Sequence, residues 1–257
     1  MMRGLLFPFA DVLRECEVIK HLAHGFLDPK TDLVLGETKS RLEHIQTNES
    51  TDGTVSWEIK RERPLRTAWS MGEYNPKNKG KYLVRAEISF IWQIRPVDER
   101  PWLGRKFFAL DGLASTVVCL KGKPHKEKDA EECELATWKV EVGDHQSPGP
   151  HFHVQIGEYA EAPFPKALEV PRLPAMVMTP MLVVETVLSE LFQKKWEQVA
   201  LAENQHTQAW RKLHAPRLRA LLEWQRAELS SPKRVGTAWG IFKRMRPNVD
   251  LLVTQDR

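Results

Sequence analysis

The sequence predicts an α+β protein in which an antiparallel β-sheet spans about residues 54–156, with an N-terminal helix and a C-terminal pair of helices packed on it. Three observations carry that expectation. Tyr82, Val84, Ala86, Ile88, Phe90, Trp92 and Ile94 all fall on one parity, while the other parity is mostly polar. A period of two places one face of a strand in the core and leaves the other wet, which suits an antiparallel sheet. Phe9, Val12, Leu13, Cys16 and Ile19 recur at helical spacing near the N-terminus. After a connector with prolines at 163, 165, 171, 174 and 180, the pattern becomes helical again.

In chain order, residues 8–24 read as a helix with Pro8 near its first turn and Gly25 as its stop. His21 and His24 share one helical edge, where they read as surface polar residues. Residues 28–53 carry few signals besides the Asp52-Gly53 turn. Val55, Trp57 and Ile59 alternate as a strand, followed by the basic stretch Lys60, Arg61, Arg63, Arg66 and a basic turn at 75–81. After the strand at 82–95 comes a second one at 107–120, with a break expected at Asp111-Gly112. Residues 121–134 read as a charged loop, 135–142 as a strand and 151–156 as another.

Thr179-Pro180 starts a helix, with Thr as the cap and Pro at the first position, and its pattern runs on toward Leu213. Pro216 should interrupt it, and Leu218, Leu221, Leu222 and Leu229 mark a second helix. Trp196, Trp210 and Trp224 recur every fourteen residues. They read as anchors of the helices onto the sheet, or alternatively as a face for a partner helix. The chain reads as a single compact unit, 1–257, with a sheet-centred region 1–160, a Pro-rich connector 161–180, a helical region 181–230 and a basic C-terminal segment 232–257.

Hydrophobic residues at 42%, charged residues at 28% and a net charge of +4 permit an anionic partner without requiring one. The three cysteines, Cys16, Cys119 and Cys133, have neither zinc-site nor disulfide-framework spacing, which points to a reducing compartment. The apolar run 5–10 is short and is followed at once by Asp11 and Arg14, so it does not read as a secretion signal. No run reaches the ~18 apolar residues of a membrane span. A cytoplasmic protein without a membrane partner is expected.

Chemistry concentrates in the segment 144–156, where three of the nine histidines follow or flank a Pro-Gly-Pro turn. His151 and His153 would stand side by side on the wet face of one strand. With His145 brought in by the turn they form a candidate site for one divalent metal, Zn or Mn, that activates water against a phosphoester or nucleic acid. Glu158 or Glu161 could serve as base or ligand, and Arg172 could hold an anion. His153, Gln155 and Arg172 are the candidate catalytic residues. The plainer alternative is a structural role, with the histidines bonding loop carbonyls.

His151-Phe152-His153-Val154-Gln155 also has the form HxHxQ. It resembles the active-site strand of the uridylyltransferase and dinucleotide phosphorylase branch of the histidine-triad superfamily. That resemblance covers only this strand. It implies nucleotidyl transfer with His153 attacking phosphorus and Gln155 holding a phosphate oxygen. Ser115-Thr116 sits in an apolar strand with no base adjacent in sequence.

The opposing class is a non-catalytic scaffold. Lys233, Arg234, Lys243, Arg244 and Arg246, interleaved with Trp239 and Phe242, suit a nucleic-acid backbone and its bases. The C-terminal helices could hold a protein partner. On this reading residues 232–257 can be removed without loss of the fold. The plainer alternative for the segment is a short helix docked by Trp239, Ile241 and Phe242.

Overall fold

The computed structural model describes residues 4–48, 53–71, 80–97, 105–126, 130–143, 150–157, 172–176 and 179–253. It is an α+β structure built on one eight-stranded antiparallel sheet, with helices from both ends of the chain. The strands are β1 (Leu6–Pro8), β2 (Val55–Ile59), β3 (Leu65–Arg66), β4 (Tyr82–Val97), β5 (Phe107–Pro124), β6 (Cys133–Val142), β7 (Phe152–Ile156) and β8 (Arg172–Pro174). The spatial order is β2-β4-β5-β6-β7-β8, with β1 added along β5 and β3 along β4.

The predicted alternation in β4 is real. Val84, Ala86, Ile88, Phe90, Trp92 and Ile94 are all buried in the main core. Helix α1 (Phe9–Leu22) contributes Phe9, Val12, Cys16 and Ile19 to that core, as its spacing predicts. The break expected at Asp111-Gly112 is a bulge within one long strand, where the β4–β5 register shifts between Trp92 and Ile94. Gly112 has φ +135°, and the Gln93 side chain accepts from Leu113 N at 2.8 Å in the space that a Cβ at Gly112 would fill.

Four elements differ from expectation. Helix α2 (Asp32–Asn48) occupies the stretch that carried few signals, burying Val34, Leu35, Leu42 and Ile45. Thr38 lies on the same buried stripe, and its carbonyl accepts from Trp57 Nε1 at 3.0 Å. The supposed charged loop shrinks because β5 runs on to Pro124 and β6 starts at Cys133. The helix expected from Pro180 toward Leu213 breaks twice, at Gln193 with φ 38° and again at 201–204, giving α3 (Pro180–Phe192), α4 (Lys194–Ala200) and the start of a third helix at Gln205.

Pro216, finally, does not interrupt anything. Helix α5 (Gln205–Leu229) passes through it. Trp210, His214, Arg217 and Leu221 form one buried stripe on both sides of the proline, so packing offsets the roughly 3 kcal/mol that an interior proline costs. Trp196 and Trp210 are buried and Trp224 packs against the core, which is the anchoring role.

The C-terminal segment is part of the fold. Met245 and Leu252 are buried, and Leu6 N donates to Val249 O at 2.9 Å. Removing 232–257 would therefore strip side chains from the core, contrary to the sequence expectation. Helix α6 (Ala238–Arg244) has no fully buried residue: Ile241 and Phe242 are half-buried and Trp239 is exposed, so Trp239 is not one of its docking anchors. Among the described residues no helix is long and apolar enough to cross a membrane.

Candidate functional site on the outer face of the sheet

The strand registers place the second parity of β4–β7 on the face opposite the core. One row across it is Ile91, Ser115, Glu141, His153 and Pro174; the next is Ser89, Val117, Lys139, Gln155 and Arg172. His153 and Gln155 thus share a face, as the period-two reading requires, and the backbone of Arg172 pairs directly with Gln155. The three candidate catalytic residues thus lie on the adjacent strands β7 and β8.

The histidines are not on a wet surface, however. His153 is 3% exposed and His151 5%. β7 starts at Phe152, so His151 sits in the bend before the strand, its ring edge-on to Phe152 at 4.8 Å. The flush pair expected from a continuous strand is replaced by one strand histidine and one bend histidine. His145, Glu158 and Glu161 lie outside the described residues.

His153 makes two contacts that decide its chemistry. Its Nδ1 is 3.0 Å from Pro150 O and its Nε2 is 3.2 Å from Glu141 Oε2. A carbonyl oxygen can only accept, so Nδ1 carries the proton there. Nε2 then donates to the Glu141 carboxylate when the ring carries both protons, and faces it as a second acceptor when it does not, which is the place a metal ion would take. A histidine whose other ring nitrogen donates to a backbone carbonyl is also the usual arrangement of a metal ligand. Burial pushes the Glu141 carboxyl up, but the hydrogen bonds from His153 and Ser115, with the charges of His153 and Lys139, outweigh it and hold the group below its ordinary value.

Glu141 and Ser115 escaped the sequence reading. Ser115 has no base near it in sequence, yet strand pairing sets it opposite Glu141. Glu141 shares the polar parity of β6 with Thr137 and Lys139, and this was the only available signal. From Glu141 the site opens into a cleft of about 830 Å³ whose walls include Lys60, Arg61, Ser89, Ser115 and Lys139. Among the described residues no group of three or more His, Cys, Asp or Glu side chains gathers as metal ligands, so His151 does not join His153 and Glu141 in such a group.

No family model, curated protein or solved structure matches this chain. Its chemistry rests on its own geometry.

A second set of buried polar groups lies between helices. Glu15 of α1, fully buried, accepts from Arg217 Nη1 and Thr179 Oγ1. Arg217 Nη2 also reaches Asp11 at 3.5 Å. His214 packs on Trp210 at 4.2 Å, and its Nε2 stands 3.9 Å from Glu15 Oε2 without a hydrogen bond. Burial pushes the His214 imidazole below its ordinary value, with Glu15 pulling it up and Arg217 pushing it further down. This cluster ties α5 to α1 and to the cap of α3.

Proposed function

We propose that the outer sheet face is a hydrolytic centre for a phosphoester, in which a divalent cation, Zn or Mn, is shared by His153 Nε2 and Glu141. The observation that supports it is His153 Nε2 standing 3.2 Å from Glu141 Oε2 while Nδ1 is committed to Pro150 O. The cation would polarise the phosphoryl group and lower the pKa of a water. Pro150 fixes the His153 tautomer, Ser115 orients Glu141, and the cleft beside Glu141 admits the substrate. Lys60, Arg61 and Lys139 on its wall are matched by Glu58, Glu62 and Glu141, so the preference for an anionic substrate rests on the cation itself. Gln155 and Arg172, in the neighbouring row, would hold phosphate oxygens. Nucleotidyl transfer through a phosphohistidine is the weaker form of this reading, because attack by Nε2 requires Glu141 to vacate the position it holds.

Elemental analysis of the purified protein, with hydrolysis of bis(p-nitrophenyl) phosphate as the activity probe, tests the proposal. Glu141→Gln and His153→Ala should each lose bound metal and cut hydrolysis by more than the roughly 100-fold that loss of an outer-shell partner costs. Metal-free wild type with unchanged hydrolysis, or a fully active Glu141→Gln, defeats it.

A second reading, a nucleic-acid-binding scaffold, is favoured by α6. Trp239 is 51% exposed and lies parallel to the half-buried Phe242 at 6.1 Å. Arg234 is already paired with Glu228 and Arg246 bonds the Lys243 and Met245 carbonyls, so Lys233, Lys243 and Arg244 would carry the phosphate contacts. Leu222 and Leu229, exposed seven residues apart on α5, would suit a protein partner instead. Binding to single-stranded oligonucleotide that weakens steeply with salt and is lost in Trp239→Ala supports the scaffold. Salt-insensitive binding rejects it.

A further inference from the structure

A pocket of about 350 Å³ opens between the end of α1, α3, α4 and the start of α5, away from the sheet site. The break at Gln193 turns α4 across α3 and brings Trp196 to its wall. Leu22 and Trp210 add further apolar wall, and Glu185 is the partly buried charged group within it. Trp210 Nε1 donates to Glu185 Oε2 at 2.5 Å, which fixes both the indole and the carboxylate. Among the described residues no cation pairs with Glu185. Burial pushes its carboxyl up, and the single indole N–H offsets this only in part. Glu203 and Arg211, both exposed, line the same pocket with cancelling formal charges, so they leave no net barrier to a charged ligand.

We propose that this pocket binds a small alkylammonium ion. The Glu185 carboxylate would take the ammonium N–H groups on the oxygen that Trp210 leaves open. Trp196, Trp210 and Leu22 would enclose the alkyl body, and an indole face attracts a cation as well as apolar surface. A neutral or anionic ligand would leave the carboxylate desolvated and unpaired, which is the costly arrangement. A single carboxylate among apolar walls also lacks the oxygen ligands that a divalent metal requires.

Isothermal titration of the full chain with n-butylammonium, and separately with n-butanol, distinguishes charge recognition from simple apolar filling. Saturable binding of n-butylammonium is expected, with n-butanol weaker by about ten-fold or more, because its hydroxyl offers the carboxylate one neutral donor and no positive charge. Glu185→Gln keeps an acceptor for Trp210 and should lose the same factor for n-butylammonium. Absence of saturable n-butylammonium binding, equal binding of the two probes, or an unchanged Glu185→Gln overturns the proposal. Should that variant fail to fold, the two probes compared on the wild type decide the matter.

Discussion

Among the described residues, two places set a buried histidine beside a glutamate, and they use the pair in opposite ways. Between α1 and α5, Glu15 is saturated by Arg217 and Thr179, and His214 stands by at 3.9 Å without a hydrogen bond. On the outer sheet face, His153 meets two acceptors, and Glu141 opens into a cleft. The first arrangement has its cation built in as a guanidinium, so it is closed. The second has no guanidinium beside it, and His153 itself supplies the positive charge when it is protonated. Burial of a histidine is therefore not by itself a sign of a site; what its glutamate partner is committed to, and whether that partner reaches a cleft, is the better sign.

The largest effect belongs to the closed cluster. Arg217→Ala leaves Glu15 buried and unpaired, and should cost about 3–5 kcal/mol in urea unfolding. Replacing both partners, Glu15→Leu with Arg217→Met, should recover most of that loss, because an apolar pair of similar volume avoids the desolvation penalty. A single Arg217→Ala that unfolds like the wild type would show that the cluster is not the lock between α1 and α5, and the contrast drawn above would fail.

What the sequence reveals follows the same physics. The alternation of β4 is legible because one face is wholly core and the other mostly polar. The α2 helix is hidden because only Val34, Leu35, Leu42 and Ile45 mark its buried stripe, with Thr38 among them. The 121–134 stretch looks like a loop because its residues carry paired charges: Lys121 of β5 meets Glu134 of β6 at 3.1 Å, and Glu132, just before β6, meets Arg85 of β4 at 2.7 Å. Charge written into a paired strand mimics a solvated turn. At the site, His153, Gln155 and Arg172 are local in sequence and could be singled out. Glu141 and Ser115 reach His153 only through strand register, which single-residue patterns do not encode.

A smaller effect should appear in the acid range. His214 has its folded-state pKa below the ordinary 6.5, so the unfolded chain binds its proton first as pH falls. The stability tied to its neutral form is complete above 6.5 and is lost as pH drops from there through the folded value, at up to about 1.4 kcal/mol per pH unit. His214→Phe keeps a ring against Trp210 and removes the titration. Thermal melts at several pH values between neutral and mildly acidic should show a flatter dependence in the variant than in the wild type. Parallel curves would mean that the closed cluster is indifferent to His214.

The smallest effect separates the two cations that can fill the open pair. Glu141 has its folded-state pKa depressed, so its contribution is present above the ordinary glutamate range and is lost as pH falls through the folded value. Glu141→Gln should cost about 1 kcal/mol near neutral pH, since the side chain is partly solvated, and should remove that acid-range slope. If a proton bridges His153 and Glu141, a chelator leaves the wild-type melting temperature unchanged. If a divalent metal bridges them, chelation lowers the wild-type melting temperature toward that of Glu141→Gln and has no effect on the variant, because ligand binding to the folded state raises its stability by mass action. A Glu141→Gln protein that remains as chelator-sensitive as the wild type would move the metal away from this pair altogether.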